Sequence, residues 1–325
     1  MRVLCLNLFC FILLIGLMLF SGTVPPVRAD APAGKRYRTT IPYTPSKYGQ
    51  IIVQVRLSGG LMGTFLLDTG SGSTCITDTL AVKMGLSPVP AVGTDGKPVL
   101  LYSGKQAQMV TVPLLQMSNF RLLSTPCLVL SQKSLSPLVG QPLDGVLGAG
   151  VLTIYPMYFD FLRHQITLFS PSPLTSAELR SVGMEDATGV PVADLTSNNR
   201  FAFACSTVMT DGNDQVQESL LVDTGGVTTM ISEGTARRLR LHPITDNLNS
   251  PTLFGNITVR QTYLPTLRLG DISVSNLPIL YTPDISEAFP THIGLDVLSQ
   301  FRVLLDYKRK KMYLKPITAP TSAAP

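Results

Sequence analysis

Short apolar segments separated by glycine, proline and polar residues run along most of the chain, and its two halves show the same arrangement. Residues 51–57 are strand-like, residues 58–60 favour a turn, and residues 64–67 return as a second strand. Residues 201–209 and 218–222 predict a similar hairpin in the second half. The 25 prolines and 26 glycines are spread evenly, which suits a strand-rich protein better than a helical one. The pattern therefore predicts an all-β fold.

A short helix is predicted after each hairpin. In the second half Ser232 is a candidate N-cap, followed by Glu233 in the first turn and by arginines late in the helix. In the first half Asp78 or Thr79 begins a helix that Gly85 can end.

The chain contains an internal repeat, which is the strongest signal in the sequence. Residues 66–86 (LLDTGSGSTCITDTLAVKMGL) align with residues 221–241 (LVDTGGVTTMISEGTARRLRL), and 8 of 21 positions are identical while 7 more are similar. A second block, residues 144–169, aligns with residues 290–315 and pairs Gly148 with Gly294. Each half thus carries Asp-Thr-Gly, then an apolar-apolar-Gly segment, then a final pair of strands.

The first 29 residues predict a signal peptide. Arg2 precedes an apolar segment over residues 3–20, and Val27-Arg28-Ala29 offers a cleavage site after Ala29. An uncleaved membrane anchor is the alternative, because 18 apolar residues nearly span a bilayer. Export, to the cell exterior or a periplasm, is the expectation.

Charge and composition exclude several function classes. Removing residues 1–29 takes away two arginines and no acids, so the net charge falls from +5 to +3, which is no nucleic-acid signature. The basic cluster at residues 308–311 lies between two strand-like segments and predicts a solvated hairpin turn. Cys75, Cys127 and Cys205 form no C-x-x-C pair, so no disulfide scaffold is expected. The three histidines lack metal-ligand spacing, and neither a metal nor a cofactor is predicted.

The duplicated Asp-Thr-Gly, each copy led by an apolar strand, resembles the aspartic proteases. HIGLDVL and the 71-residue spacing from Asp223 to Gly294 are similar to the retroviral type, whereas DGVLGAG is closer to the pepsin-like type. The resemblance implies two fused retropepsin-like units, arranged as two closed-barrel lobes related by a pseudo-twofold axis. The implied organisation is a signal peptide (1–29), a leader (30–49), a first lobe (50–170), a linker (171–190), a second lobe (191–315) and a disordered tail (316–325).

The chemistry explains why such a site needs the motif twice. Peptide hydrolysis without a metal or nucleophilic side chain needs a base to activate water and an acid to protonate the carbonyl oxygen. Two adjacent carboxylates supply both, because like charges so close do not both ionise readily. The resemblance assigns this dyad to Asp68 and Asp223. Chance turns remain the competing explanation, since Asp, Thr and Gly all favour turns.

The resemblance also implies supporting roles for neighbouring residues. Thr69 and Thr224 would reach the opposite loop's backbone, while Gly70 and Gly225 would allow close approach to the carboxylates. The segments ending in Gly148 and Gly294 would brace the motif loops, and His292 departs from the apolar pattern there. Asp296 is expected to cap a helix.

The two halves differ at one position next to the motif, and the sequence leaves the roles of the covering hairpins and the leader open. Ser71 is expected to hydrogen-bond the adjacent carboxylate, whereas Gly226 has no hydroxyl, so we expect the two aspartates to differ in their hydrogen bonds. The hairpins that would cover a substrate are placed at residues 101–104 and 253–256, although plain surface turns are nearly as good an interpretation. The leader could cover the dyad through Lys35, Arg36 and Arg38, be disordered, or form a strand between the lobes.

The sequence therefore predicts an exported, monomeric aspartic endopeptidase that acts on extended polypeptides, with no nucleic-acid partner. A catalytically inactive relative that binds peptides or serves as a scaffold is the alternative. Such a relative would be free to lose one member of the dyad, and this chain retains both. A processing enzyme dedicated to one partner protein is a further possibility that the sequence leaves open.

Overall fold

The structure is a computed structural model that describes residues 28–30, 36–92, 97–99, 105–194, 203–252, 255–283 and 291–317. The side chains of residues 28–30, 193–194, 203, 251–252 and 255–256 are left out of the description. The described residues are mostly strand, with a few short helices. No helix among them is long and apolar enough to cross a membrane.

The first lobe is built around a closed ring of six strands. Around the ring, β4 pairs with β5, β5 with β10, β10 with β6, β6 with β9, β9 with β8, and β8 with β4 again. These strands are β4 (Ile51–Leu57), β5 (Met62–Leu67), β6 (Cys75–Thr77), β8 (Gln108–Met117), β9 (Phe120–Leu130) and β10 (Gly145–Leu147). Three short strands lie at the edges, namely β1 (Arg28–Asp30), β3 (Thr44–Pro45) and β7 (Val89–Pro90). The helices of this lobe are α1 (Asp78–Lys83), α2 (Gln132–Val139) and α3 (Ala149–Leu152).

The second lobe repeats this ring with the same order of pairing. Here β14 pairs with β15, β15 with β20, β20 with β16, β16 with β19, β19 with β18, and β18 with β14 again. The strands are β14 (Phe203–Thr210), β15 (Gln215–Val222), β16 (Met230–Ser232), β18 (Gly255–Leu269), β19 (Ile272–Thr282) and β20 (His292–Ile293), with β17 (Leu248–Thr252) against β18. The helices are α5 (Glu233–Arg238) and α6 (Leu295–Leu298). The predicted all-β fold of two closed barrels is confirmed.

A six-stranded antiparallel sheet joins the two lobes. Its strands, from one edge to the other, are β2 (Arg38–Pro42), β12 (Gln165–Phe169), β11 (Met157–Asp160), β21 (Phe301–Asp306), β22 (Lys311–Pro316) and β13 (Thr188–Asp194). The two hairpins meet at the centre, where Tyr158 pairs with Leu304. One continuous cluster of buried apolar residues runs through both barrels and this sheet, so the lobes share a core.

Several local expectations can be compared with this architecture. Ser232 is the N-cap of α5 and α1 begins at Asp78, both as predicted, and Thr77 is the N-cap of α1. Thr175 and Glu178 form a capping box at α4 (Ser176–Ser181). The leader places β2 in the interlobe sheet, and Arg36 pairs with Glu178 at 2.8 Å instead of covering the dyad. Cys75, Cys127 and Cys205 are all buried free thiols.

Candidate active site

The two Asp-Thr-Gly loops begin where a strand of each barrel ends. Leu67 closes β5, and the backbone N–H of Asp68 donates to the carbonyl of Leu147 at 3.0 Å. Val222 closes β15, and the N–H of Asp223 donates to the carbonyl of Ile293 at 3.1 Å. Both strands pair in parallel with the strand that precedes the bracing glycine, so each motif loop is anchored to that segment.

The two loops face each other through their threonines. The hydroxyl of Thr69 donates to the carbonyl of Val222 at 2.7 Å, and the hydroxyl of Thr224 donates to the carbonyl of Leu67 at 2.9 Å. Each hydroxyl oxygen also accepts the backbone N–H of the opposite threonine, at 3.1 and 3.0 Å. Four buried hydrogen bonds therefore tie one lobe's motif to the other's.

The glycines of the motifs lie against the opposite carboxyl groups. A Cβ atom built on Gly70 would lie 2.4 Å from Cγ of Asp223, and one built on Gly225 would lie 2.4 Å from Cγ of Asp68. No side chain fits at such distances. Glycine is therefore required on both sides for the two carboxyl groups to approach each other.

Both carboxyl groups are buried and held by the backbone. Asp68 and Asp223 are 1% and 0% exposed. Oδ1 of Asp68 accepts the N–H groups of Gly70 and Ser71 at 2.9 and 3.0 Å. Oδ1 of Asp223 accepts those of Gly225 and Gly226 at 2.8 and 2.9 Å. The Oδ2 atom of each aspartate accepts no hydrogen bond from the described protein atoms.

Burial shifts the pKa values of both aspartates upward. The pKa of Asp68 is raised well above its usual value, first by burial and then by the negative charge of the neighbouring Asp223. Burial raises the pKa of Asp223 to about 6, although the backbone hydrogen bonds from Gly226 and Gly225 act in the opposite direction. Two neighbouring buried carboxyl groups titrate as a pair, so that one can carry a proton while the other is ionised.

The two apolar-Gly segments pass behind the motif loops. Gly148 donates its N–H to Oγ1 of Thr74 at 3.2 Å, and Gly294 donates to Oγ1 of Thr229 at 3.1 Å. A Cβ on Gly148 would lie 2.2 Å from the carbonyl oxygen of Ser73. The next residue on each segment, Ala149 or Leu295, also donates its N–H to the motif loop. The same contacts occur in both lobes.

The expected hydrogen bond from Ser71 to the Asp68 carboxylate is absent, and this prediction was wrong. The Ser71 hydroxyl instead donates to the carbonyl of Ser73 at 2.8 Å. Each carboxylate consequently accepts the same set of two backbone N–H groups. The carbonyl two residues on is a local acceptor, which a serine hydroxyl readily reaches.

Sequence reasoning missed one residue that contacts the site and misplaced another. Gln50 is fully buried, accepts the Ser46 hydroxyl at 2.9 Å and donates from Nε2 to the carbonyl of Gly225 at 2.9 Å. No local pattern marks Gln50, because its partner lies 175 residues away.

Asp296 is not the N-cap of α6, which is Gly294. Its carboxylate instead accepts the hydroxyl and N–H of Thr229, at 2.7 and 2.9 Å.

The two hairpins that are expected to cover a substrate lie wholly or partly outside the residues that the structure describes. Residues 101–104 lie outside the described residues. In the second lobe β17 and β18 pair as far as Thr252 and Gly255, and the two residues that connect them also lie outside the description. Among the described residues, no group of three or more His, Cys, Asp or Glu side chains could hold a metal ion.

A comparison with protein-family models identifies the family to which the chain belongs. A family model described as aspartyl protease matches residues 53–151 and 207–298, which together are 191 of 325 residues. A solved retropepsin-like aspartic protease from Rickettsia conorii is similar over 42% of this chain and 92% of its own, with 15% identity and a TM-score of 0.32. No curated protein sequence matches significantly. Each family match contains one Asp-Thr-Gly and one bracing glycine, so the chain belongs to the aspartyl protease family and carries its domain twice.

Proposed function

We propose that the protein is an aspartic endopeptidase in which Asp68 and Asp223 hydrolyse a peptide bond in an extended polypeptide. One observation carries the proposal. Both carboxyl groups are buried, lie against each other's glycine, and keep one oxygen free of hydrogen bonds from the described protein atoms. These two Oδ2 atoms are suited to hydrogen-bond a water molecule and, through the shared proton, the carbonyl oxygen of a substrate.

The shared proton divides the chemistry between the two groups. The ionised carboxylate takes a proton from water as the water oxygen bonds to the peptide carbonyl carbon, and the protonated carboxyl group gives its proton to the carbonyl oxygen. In the collapse of the resulting tetrahedral diol, the carboxyl group that took the water proton gives it to the peptide nitrogen, while the other carboxylate takes a proton from a hydroxyl of the diol. The C–N bond breaks, a carboxylic acid and an amine leave, and one proton again remains on the dyad. Which aspartate begins as the base is left open, because both accept equivalent backbone hydrogen bonds.

The test compares the purified mature chain with Asp68→Asn and Asp223→Asn on an unfolded protein substrate from pH 3 to 7. We expect each variant to lose at least about a hundredfold in rate while remaining folded, because asparagine neither accepts nor gives the proton. Asp246→Asn, at an exposed loop position, is the matched control. Undiminished cleavage by either dyad variant would contradict the proposal, and an inactive wild-type chain would favour the peptide-binding alternative.

We further propose that one copy of the chain completes the site, since it supplies both aspartates. Mixing equal amounts of Asp68→Asn and Asp223→Asn tests this arrangement. No recovery of activity is expected from a monomer. Recovery would show that lobes from different copies combine, which would contradict the proposal.

We also propose that the protein is exported and cleaved near Ala29. Support comes from the apolar segment over residues 3–20 and the small residues before the cleavage site. The bond after Ala29 lies within β1, where Ala29 pairs with Leu122. N-terminal sequencing of secreted protein tests the proposal. A first residue near Asp30 supports it, whereas full-length chain in the membrane fraction supports the anchor.

A further inference from the structure

The carbonyl group five residues after each catalytic-loop aspartate accepts a side-chain hydrogen bond, but the donor differs between the lobes. In the first lobe the Ser71 hydroxyl donates to the Ser73 carbonyl at 2.8 Å. In the second lobe the equivalent carbonyl, that of Thr228, lies 3.0 Å from Nε2 of His292. A carbonyl oxygen only accepts, so Nε2 of His292 carries the proton in this contact.

The two donors come from different positions in the repeat. Serine stands at position 71, where the second copy has Gly226, and histidine stands at position 292, where the first copy has Val146. Val146 and His292 are equivalent because they pair with Leu66 and Leu221, the matching residues of β5 and β15. At these two positions each lobe therefore has one hydrogen-bond donor and one apolar or small residue. The first lobe has Ser71 with Val146, and the second has His292 with Gly226.

Steric fit explains why the two positions change together. A Cβ atom on Gly226 would lie 3.0 Å from both Cδ2 and Nε2 of His292, and 2.9 Å from Oδ2 of Asp223. The imidazole is fully buried and fills the space that a side chain at position 226 would need. Glycine at position 226 thus accommodates the histidine, and the histidine replaces the hydroxyl that glycine lacks.

We propose that His292 is a positioning residue for Asp223, and that Gly226 and His292 form a coupled pair equivalent to Ser71 and Val146. The imidazole holds the carbonyl of Thr228 and thereby the turn whose Gly226 N–H binds Oδ1 of Asp223 at 2.9 Å. The effect on catalysis rests on the proposed function, whereas the coupling itself does not.

A four-chain cycle tests the pair: wild type, His292→Val, Gly226→Ser, and the double variant that recreates the first lobe's arrangement. His292→Val leaves the Thr228 carbonyl without its donor, and we expect the melting temperature to fall by about 3–8 °C and kcat by about tenfold. Gly226→Ser drives its side chain into the imidazole, and we expect losses of similar size. In the double variant the hydroxyl reaches the Thr228 carbonyl, as Ser71 does in the first lobe.

The coupled pair predicts that the double variant recovers at least half of the lost melting temperature and returns kcat to within about threefold of wild type. KM is expected to change less than kcat in the single variants, because the pair contacts Asp223 and not the substrate. If the melting-temperature losses of the single variants add in the double variant, or their kcat losses multiply, the proposal is overturned. His242→Val, at an exposed position, controls for removing a histidine.

Nitrogen NMR of the three imidazole rings gives a readout that needs neither activity nor a folded variant. We expect the ring assigned to His292, by its loss in His292→Val or by sequential assignment, to carry its proton on Nε2. A ring protonated on Nδ1 alone would overturn the proposal. If the wild type cleaves nothing, the proposed function fails, and the melting temperatures and the imidazole spectrum still decide whether the pair is coupled.

Discussion

Thr69 and Thr224 hold each other across the boundary between the two lobes: the N–H of each donates to the hydroxyl oxygen of the other, at 3.1 and 3.0 Å. Each hydroxyl also donates to a carbonyl at the end of the opposite strand. The dyad geometry therefore depends on both lobes at once. Because these groups are buried, no water is available to replace a lost partner.

Thr224→Val is expected to reduce the free energy of unfolding by about 2–5 kcal/mol, because the N–H of Thr69 and the carbonyl of Leu67 both lose their partner. Thr224→Ser keeps the hydroxyl and is expected to lose less than about half of that amount. Urea denaturation measures both. Thr111→Val, at an exposed strand position, is the control and is expected to change stability by less than about 0.5 kcal/mol. Equal effects of valine and serine at position 224 would contradict the account.

Gly225→Ala is expected to abolish cleavage, because its Cβ would lie 2.4 Å from Cγ of Asp68 and force the carboxyl groups apart. Gly234→Ala is the matched control in α5, where the nearest atom, Oγ of Ser232, would be 3.6 Å away. We expect that control to keep full activity and to gain up to about 1 kcal/mol of stability, since alanine favours helix over glycine. Measured kcat near wild type for Gly225→Ala would show that the close approach is dispensable.

Gln50→Leu is expected to reduce kcat by about tenfold with a smaller change in KM, because the carbonyl of Gly225 loses the amide that orients it. Gln54→Leu is a suitable control, since Gln54 lies on β4, which begins one residue after Gln50, and makes an exposed hydrogen bond to Thr64. Gln50→Glu should be at least as damaging as leucine, because it places a carboxylate oxygen against the carbonyl. Steady-state kinetics of the three variants decide the point, and an unchanged kcat in Gln50→Leu would remove Gln50 from the site.

The pH dependence of activity follows from the raised pKa values of the dyad. We expect a bell-shaped rate profile, because cleavage needs one proton shared between Asp68 and Asp223. The rate declines at low pH when both groups are protonated, and at high pH when both are ionised. Since burial and the charge of Asp223 raise the pKa of Asp68 well above its usual value, the upper limb is expected above that of an ordinary carboxyl group. A profile with a single ionisation would contradict the paired-carboxylate mechanism.

The same shifts predict how stability varies with pH. Between about pH 4 and 6 the folded protein retains dyad protons that the unfolded chain has already released. The free energy of unfolding therefore decreases as pH rises, by up to about 1.4 kcal/mol per pH unit for each group. Asp223→Asn removes a titrating group and is expected to flatten this slope. Some slope remains, because burial also raises the pKa of Asp296 to about 6. Urea denaturation at several pH values measures it, and a slope as steep in Asp223→Asn would contradict the assignment.

Much of the fold could be read from local patterns. The strand at Ile51–Leu57 and the N-cap at Ser232 depend on residues close together in the chain, and the structure has them where they were predicted. The repeat then indicated which aspartates form a pair. It did so because two copies of one folding unit place their equivalent loops on either side of a twofold axis, whatever the details of each barrel.

Tertiary structure alone decided which side chains complete each loop. Ser71 had two acceptors within reach, and packing directs its hydroxyl to Ser73 instead of Asp68. Gln50 reaches Gly225 from the other lobe, and His292 supplies the donor that Gly226 lacks. Hydrogen bonds require distances correct to a few tenths of an ångström. Gln50 reaches such a distance only when the two barrels dock, and His292 only when its own barrel closes. The sequence therefore identified the dyad, while the tertiary structure determined its supporting contacts.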